Sequence, residues 1–205
     1  MLDLTLTPDY IYKQLCNTFP DTSFDTLTNI NRVFDKAMAR MMYCISHIND
    51  KYFNVFDYLH GDQYASFLYI LSTEVDSEDT AKRLYLLNKS LHGIDLYYEV
   101  KMPDIFLLVH PVGTVLGRAT YDDYLIVYHN CSVGSNKDIY PQLGKYVTLH
   151  PGAMVLGSCR IGDYSRVGAG SLMIDCDLPP NSIYKGRPKY YSVSYSSNMP
   201  DPRWG

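Results

Sequence analysis

The chain has 205 residues, 46% of them apolar, enough for one large domain or two small ones with a real core and too many for global disorder. Eighteen basic against 22 acidic residues leave a net charge of −4, so the sequence carries neither an electrostatic footprint for nucleic acid nor a basic run suited to an anionic membrane. No stretch approaches 18 apolar residues, the opening Met1-Leu2-Asp3-Leu4-Thr5 lacks a leader pattern, and five scattered cysteines (Cys16, Cys44, Cys131, Cys159, Cys176) form no CxxC pair, which together predict no membrane insertion and free thiols in a reducing, cytoplasmic setting.

The first 92 residues read as a helical domain. From Ser23 to His47, apolar residues fall at Leu27, Ile30, Phe34, Ala37, Met41, Met42 and Ile45, the three-and-four spacing of one helix face. A second helix is predicted from about Asp62, with Tyr64, Phe67, Leu68 and Leu71 on one side. A third starts at Ser77, a good N-cap, carries Ala81, Leu84, Leu87 and Leu91 as its stripe, and ends near Gly93. These stripes predict a packed bundle rather than a cofactor box.

After Gly93 the period changes. One apolar residue recurs at every sixth position: Leu143, Leu149, Val155, Ile161, Val167, Met173. Neither the helical period of 3.6 nor the strand period of 2 produces a strict six. Six is the period of a solenoid in which three short strands make each triangular coil, with small residues allowing tight corners. Tyr121, Val127 and Val133 extend the series upstream, and the ten-residue step from Val133 to Leu143 predicts that about four extra residues protrude around Ser135 to Tyr140. Around His110 to Arg118 the register slips by about one residue. The predicted fold is therefore α+β: an N-terminal helical bundle (residues 1–92), a left-handed parallel β-helix of hexapeptide repeats (93–189), and an extended surface tail rich in Ser, Pro and Tyr (190–205).

Asp95 and His110 stand about one coil apart. A carboxylate that binds one imidazole nitrogen sets the tautomer and leaves the other nitrogen free to take a proton from a hydroxyl. His129 lies one further coil along and could face the same groove. His110, His129 and His150 also follow one another at near-coil spacing, as stacked zinc ligands could. That spacing resembles the zinc sites of γ-type carbonic anhydrases, but those enzymes place two ligands a few residues apart on one coil and no such pair exists here, so no metal is expected.

Several segments carry a family resemblance. Leu87-Asn88-Lys89-Ser90-Leu91-His92-Gly93-Ile94-Asp95, Val109-His110-Pro111-Val112-Gly113-Thr114-Val115-Leu116-Gly117, Asn130-Cys131-Ser132-Val133-Gly134, Leu149 through Ser171 and Pro179-Pro180-Asn181-Ser182-Ile183-Tyr184-Lys185-Gly186-Arg187-Pro188 resemble serine acetyltransferases over roughly residues 84–189. The resemblance implies an acetyl-CoA-dependent O-acetyltransferase, with His110 as the general base on the acceptor hydroxyl and Asp95 orienting it. It implies a homotrimer, or a dimer of trimers, with sites in grooves between subunits. Coenzyme A would run beside Gly134, Gly152, Ala153, Ala169 and Gly170, and its phosphates would meet Lys185, Arg187 and Lys189.

The chain departs from the family at two places. Val109 stands where the family has a second Asp before the catalytic His, and Ile139 and Tyr140 stand nearest to the family's Arg-His pair in the protruding loop. The groups that handle a charged amino acid are thus missing, which points to an uncharged small-molecule hydroxyl acceptor, such as a sugar of a surface-polysaccharide pathway, with Tyr140 and His129 as substrate-binding residues. Serine itself and a non-catalytic assembly scaffold are the alternatives.

Overall fold

A computed structural model describes residues 6–49, 55–196 and 200–205; the opening Met1–Thr5, read above for a leader, lies outside them. Four helices come first: α1 (Pro8–Thr18), α2 (Phe24–Ile45), α3 (Gly61–Glu74) and α4 (Glu78–His92). Three coincide with the periodic segments. The fourth, α1, was not expected; it is started by Thr7, whose hydroxyl accepts from the Tyr10 N–H, and by Pro8 in its first turn. Ser77 caps α4 as predicted, accepting from the Thr80 N–H, and Gly93 ends it in the left-handed conformation. Every residue of α3 from Asp62 to Ser72 is buried, not one stripe only, because the helix is packed against α2, α4 and the first long strand of the solenoid. Leu91, placed in the core stripe of α4, is instead exposed. No helix among the described residues is long and apolar enough to cross a membrane.

The strands that follow are β1 (Asp95–Leu96), β2 (Phe106–Val109), β3 (Val115–Leu116), β4 (Thr120–Tyr121), β5 (Leu125–Tyr128), β6 (Ser132–Gly134), β7 (Gln142–Leu143), β8 (Thr148–Leu149), β9 (Met154–Leu156), β10 (Arg160–Ile161), β11 (Arg166–Val167), β12 (Leu172–Ile174), β13 (Ser182–Arg187) and β14 (Tyr190–Tyr195). They form the three faces of a left-handed parallel β-helix. The first face runs β14-β13-β11-β8-β5-β2, the second β1-β3-β6-β9-β12, and the third β10-β7-β4. Tyr69 Oη ties the bundle to the solenoid's entry, donating to the Val100 carbonyl and accepting from the Met102 N–H.

The six-residue series is the solenoid core. Leu143, Leu149, Val155, Ile161, Val167 and Met173 are all buried, as are Tyr121, Val127 and Val133. They stack in register: Leu116, Val133, Val155 and Met173 on the second face, Val127, Leu149, Val167 and Tyr184 on the first, and Tyr121, Leu143, Ile161 and Leu178 on the third. Gln142 pairs with Arg160, 18 residues on, but Thr120 pairs with Gln142, 22 residues on. The four surplus residues are those expected to protrude. Upstream, the steps from Val109 to Tyr128 and from Leu116 to Val133 are 19 and 17, each one residue off 18, as the slipped register predicted, and the step from Leu96 to Leu116 is 20.

The tail is more structured than an extended surface segment. β14 returns antiparallel along β13. Beyond it, Trp204 is buried, bridges to Ile48 and sets its ring edge-on to Tyr124, while the Asn49 N–H donates to the Arg203 carbonyl and the Gly205 N–H to the His47 carbonyl. One corner of the solenoid carries Tyr124, Tyr146 and Tyr164, all with positive φ, in a column with centroids 4.2 and 4.7 Å apart.

Leu149 sits mid-column with no exposed surface. Leu149→Ala is expected to cost about 2–5 kcal/mol in urea unfolding, the usual price of a buried leucine cavity, whereas Val193→Ala, on β14 of the same face and 47% exposed, should stay within about 0.5 kcal/mol.

Candidate active site

His110 follows β2 at the corner between the first and second faces. It holds φ at 49°, a conformation that costs a non-glycine residue free energy, and its carbonyl accepts from the Val112 N–H at 2.7 Å. Its imidazole is 77% exposed, and the carboxylate beside it is that of Asp62, in the first turn of α3, with Nδ1 and Oδ2 3.7 Å apart. The Asp62 side chain is only 11% exposed. His92 lies near the same carboxylate. Its Nδ1 is 2.8 Å from the Asn88 Oδ1, and burial holds it below the ordinary histidine value, against the opposing pull of Asn88 and Asp62.

Asp95, the orienting carboxylate predicted from spacing, is engaged elsewhere. Its Oδ1 accepts from Tyr85 Oη at 2.7 Å and its Oδ2 from Lys89 Nζ at 2.6 Å. Burial works to raise its pKa, but the Lys89 ammonium and the Tyr85 hydroxyl outweigh that and hold the carboxyl below the usual range. Both donors stand on α4 four residues apart, on one side of the helix, which is the signal by which sequence could have found them.

His129 is half-buried at the same corner one coil on, since β2 and β5 pair residue for residue. His150 is offset from it. It falls in line with Tyr128 and stacks on that ring at 5.6 Å, and burial, with Arg166 second, lowers its pKa. The three histidines thus do not form one column, and no group of three His, Cys, Asp or Glu side chains among the described residues is arranged to hold a metal.

The protruding loop leaves the opposite end of the second face, after β6. Asn136 and Ile139 exchange backbone hydrogen bonds across Lys137 and Asp138, both left-handed, which makes a tight two-residue turn. Asn136 Nδ2 donates to Asp175 Oδ2 at 2.7 Å, and Asp175 Oδ1 accepts from the Ser158 N–H. A Cβ on Gly157 would stand 2.1 Å from Asp175 Oδ1 and 2.7 Å from the Asn136 Cβ, so glycine is required for this closure. Tyr140 and Ile139 are exposed. Within one chain, Tyr140 and His110 therefore stand at different corners of the solenoid.

Of the predicted coenzyme positions, Gly152, Ala169 and Gly170 lie along the His110 corner and are at least partly exposed, with Gly152 and Gly170 in the left-handed conformation. Gly134 lies at the other corner, beside the loop. Ala153 is fully buried, and its side chain points into the core. The N–H groups of Gly152, Ala153 and Gly170 donate to the carbonyls of His129, His150 and Pro151, so these amides hold the coils together and are not available as donors to a ligand. Lys185, Arg187 and Lys189 are all exposed on the β13–β14 hairpin, the first two on one side of the strand.

Residues 140–174 match the family model for bacterial transferase hexapeptide (six repeats). The chain is 28% identical over 128 residues to a serine acetyltransferase of Synechococcus elongatus, covering 56% of this chain and 52% of that protein, and 31% identical over 111 residues to one of Helicobacter pylori, covering 52% and 64%. It therefore spans between half and two thirds of the length of these curated relatives. The crystal structure of serine acetyltransferase from Brucella abortus superposes with a TM-score of 0.75 at 18% identity over 96% of this chain and 87% of that one; the same protein has been solved in complex with coenzyme A. The chain thus carries hexapeptide repeats and resembles serine acetyltransferases in sequence over about half its length and in fold over nearly its whole described length.

The loop's hold on Asp175 gives a direct check. Asp175→Ala removes the acceptor of Asn136 Nδ2 and of the Ser158 N–H, and is expected to speed hydrogen exchange in residues 135–141 while costing about 1–2 kcal/mol of global stability.

Proposed function

We propose that this protein is an acetyl-CoA-dependent O-acetyltransferase of the serine acetyltransferase type, with His110 as the general base. One observation carries the reading: a largely exposed imidazole held at a solenoid corner beside a buried carboxylate, in a chain whose fold follows that of serine acetyltransferases. In the reaction, His110 Nε2 takes the proton of the acceptor hydroxyl as its oxygen attacks the thioester carbonyl. The C–S bond then breaks, and the imidazolium returns the proton to the coenzyme A thiolate.

The exposed hairpin cations Lys185, Arg187 and Lys189 are suited to the coenzyme's phosphates, and the bare strip from Gly152 to Gly170 to its pantetheine arm. Because Tyr140 and His110 stand at different corners, a complete site needs a neighbouring copy to bring its loop to this one's His110, which favours a homotrimer. Val112 and Val115, apolar and exposed near His110, fit burial in such a contact. His129 and Tyr140 would then face the acceptor.

Each relative cited above is named for serine, and nothing among them supports a sugar; the sugar acceptor inferred from the uncharged Val109, Ile139 and Tyr140 is set aside. L-serine is the acceptor to test first.

His110→Ala should lower acetyl transfer from acetyl-CoA to L-serine by about 10²- to 10⁴-fold, the usual contribution of a general base, measured by release of the coenzyme thiol. The variant should still be stabilised by acetyl-CoA in thermal melts, by about 2.7 kcal/mol at a hundredfold excess over Kd. A His110→Ala protein that transfers at the wild-type rate would defeat this assignment.

A further inference from the structure

We infer that Asp62, from the first turn of α3, positions His110: its carboxylate holds Nδ1 and leaves Nε2 as the reacting nitrogen. The inference deepens the reading of His110 as the base and rests on it.

The asymmetry of exposure is the first support. An imidazole that is 77% exposed has no packing to fix its ring, so its orientation must come from a polar partner. The carboxylate at 3.7 Å is nearly buried and anchored in a helix in which every following residue from Gln63 to Ser72 is buried. Catalytic hydrogen bonds are commonly long before substrate binds and tighten in the complex.

The second support is elimination among the carboxylates. Asp95 gives both oxygens to Tyr85 and Lys89. Asp62 has its backbone fixed, with the Ser66 hydroxyl donating to its carbonyl, while its carboxylate lies between two imidazoles. His92 turns its Nδ1 to the Asn88 Oδ1, whereas His110 turns its Nδ1 to the Asp62 carboxylate at 3.7 Å.

Chemistry supplies the third. Taking the acceptor's proton turns His110 into a cation. A buried anion beside Nδ1 stabilises that cation and fixes the tautomer in which Nδ1 carries the hydrogen, two effects a solvated carboxylate supplies poorly.

The test compares the 205-residue protein with its Asp62→Asn, Asp62→Ser, Asp62→Glu and Asp95→Asn variants, and reads two quantities. The first is the tautomer of the His110 ring, read from its nitrogen NMR shifts, which needs no activity. The groups that face this ring are the Asp62 carboxylate from α3 and, beyond it, His92 from α4. Loss of the Asp62 carboxylate should move the neutral ring from the Nδ1–H form toward the Nε2–H form, while Asp95→Asn leaves it in place. The second is steady-state acetyl transfer. Asp62→Asn should lose about 10- to 100-fold in kcat, the usual cost of removing the outer partner of a functional histidine, with KM for acetyl-CoA unchanged, and Asp62→Glu should recover part of the loss.

Serine is itself suited to a helix's first turn, so Asp62→Ser supplies the folded variant if Asp62→Asn destabilises α3. A His110 tautomer that matches wild type in a folded, uncharged Asp62 variant overturns the inference, as does one that changes only in Asp95→Asn. Failure of the parent reading looks different: the wild type would transfer no acetyl group, while the tautomer would still decide whether Asp62 holds His110.

Discussion

In a parallel solenoid each inward side chain packs on its equivalents in the coils above and below, about 4.8 Å away, so a residue can occupy the interior only if every neighbouring coil keeps the same count. That constraint sets the six-residue period here. It also explains where the period is allowed to fail. Surplus residues cannot be taken up inside a coil, so the four between β6 and β7 leave the prism altogether and close on themselves across Lys137 and Asp138. At the corners the chain must turn within two or three residues, and a left-handed residue appears there coil after coil: Gly113, Asn130, Gly152 and Gly170 on one edge, Tyr124, Tyr146 and Tyr164 on another. On the tyrosine edge the rings stack on one another, and that stacking helps offset the backbone strain.

The same constraint decides how much could be read from sequence. Leu143 through Met173 were legible because a strict period of six has no competing explanation in helices or strands. The helices α2, α3 and α4 were legible from their stripes, though the stripe of α3 understated its burial, since a helix enclosed on all sides has no polar face to contrast with. The helix α1 left little trace because only Ile11 and Leu15 of its eleven residues are buried. The strand β14 left none, since all six of its residues are exposed and it exists only by pairing with β13.

The candidate site was less legible than the fold, for a physical reason. His110 could be picked out because it stands about one coil from Asp95 in a segment, Val109 to Gly117, that resembles serine acetyltransferases. Its partner could not. Asp62 and His110 are 48 positions apart, one on a helix and the other at a solenoid corner, and an aspartate in the first turn of a helix is already explained by the helix dipole. Asp95, at a plausible spacing, was the natural choice from sequence, and Lys89 and Tyr85 give it other work. The coenzyme positions divide along similar lines. Residues that shape a corner, such as Gly152 and Gly170, leave open surface, whereas Ala153 belongs to the interior column with Thr114, Cys131 and Ser171.

A β-helix alone is poorly equipped to bury an ionised carboxylate next to a solvent-facing base. Its inward positions are reserved for side chains that can stack without charge, and its outward positions are wet, where a carboxylate is screened and a lone ion pair contributes little. A helix packed across the first face lifts that restriction. Its first turn stabilises an anion through unpaired N–H groups, and its neighbours exclude water from all but a tenth of the Asp62 side chain. The helical bundle then becomes part of the site: the solenoid supplies an imidazole held out at a strained corner, α3 supplies the buried charge beside it, and a substitution that shifts α3 against β2 acts on His110 without touching the solenoid.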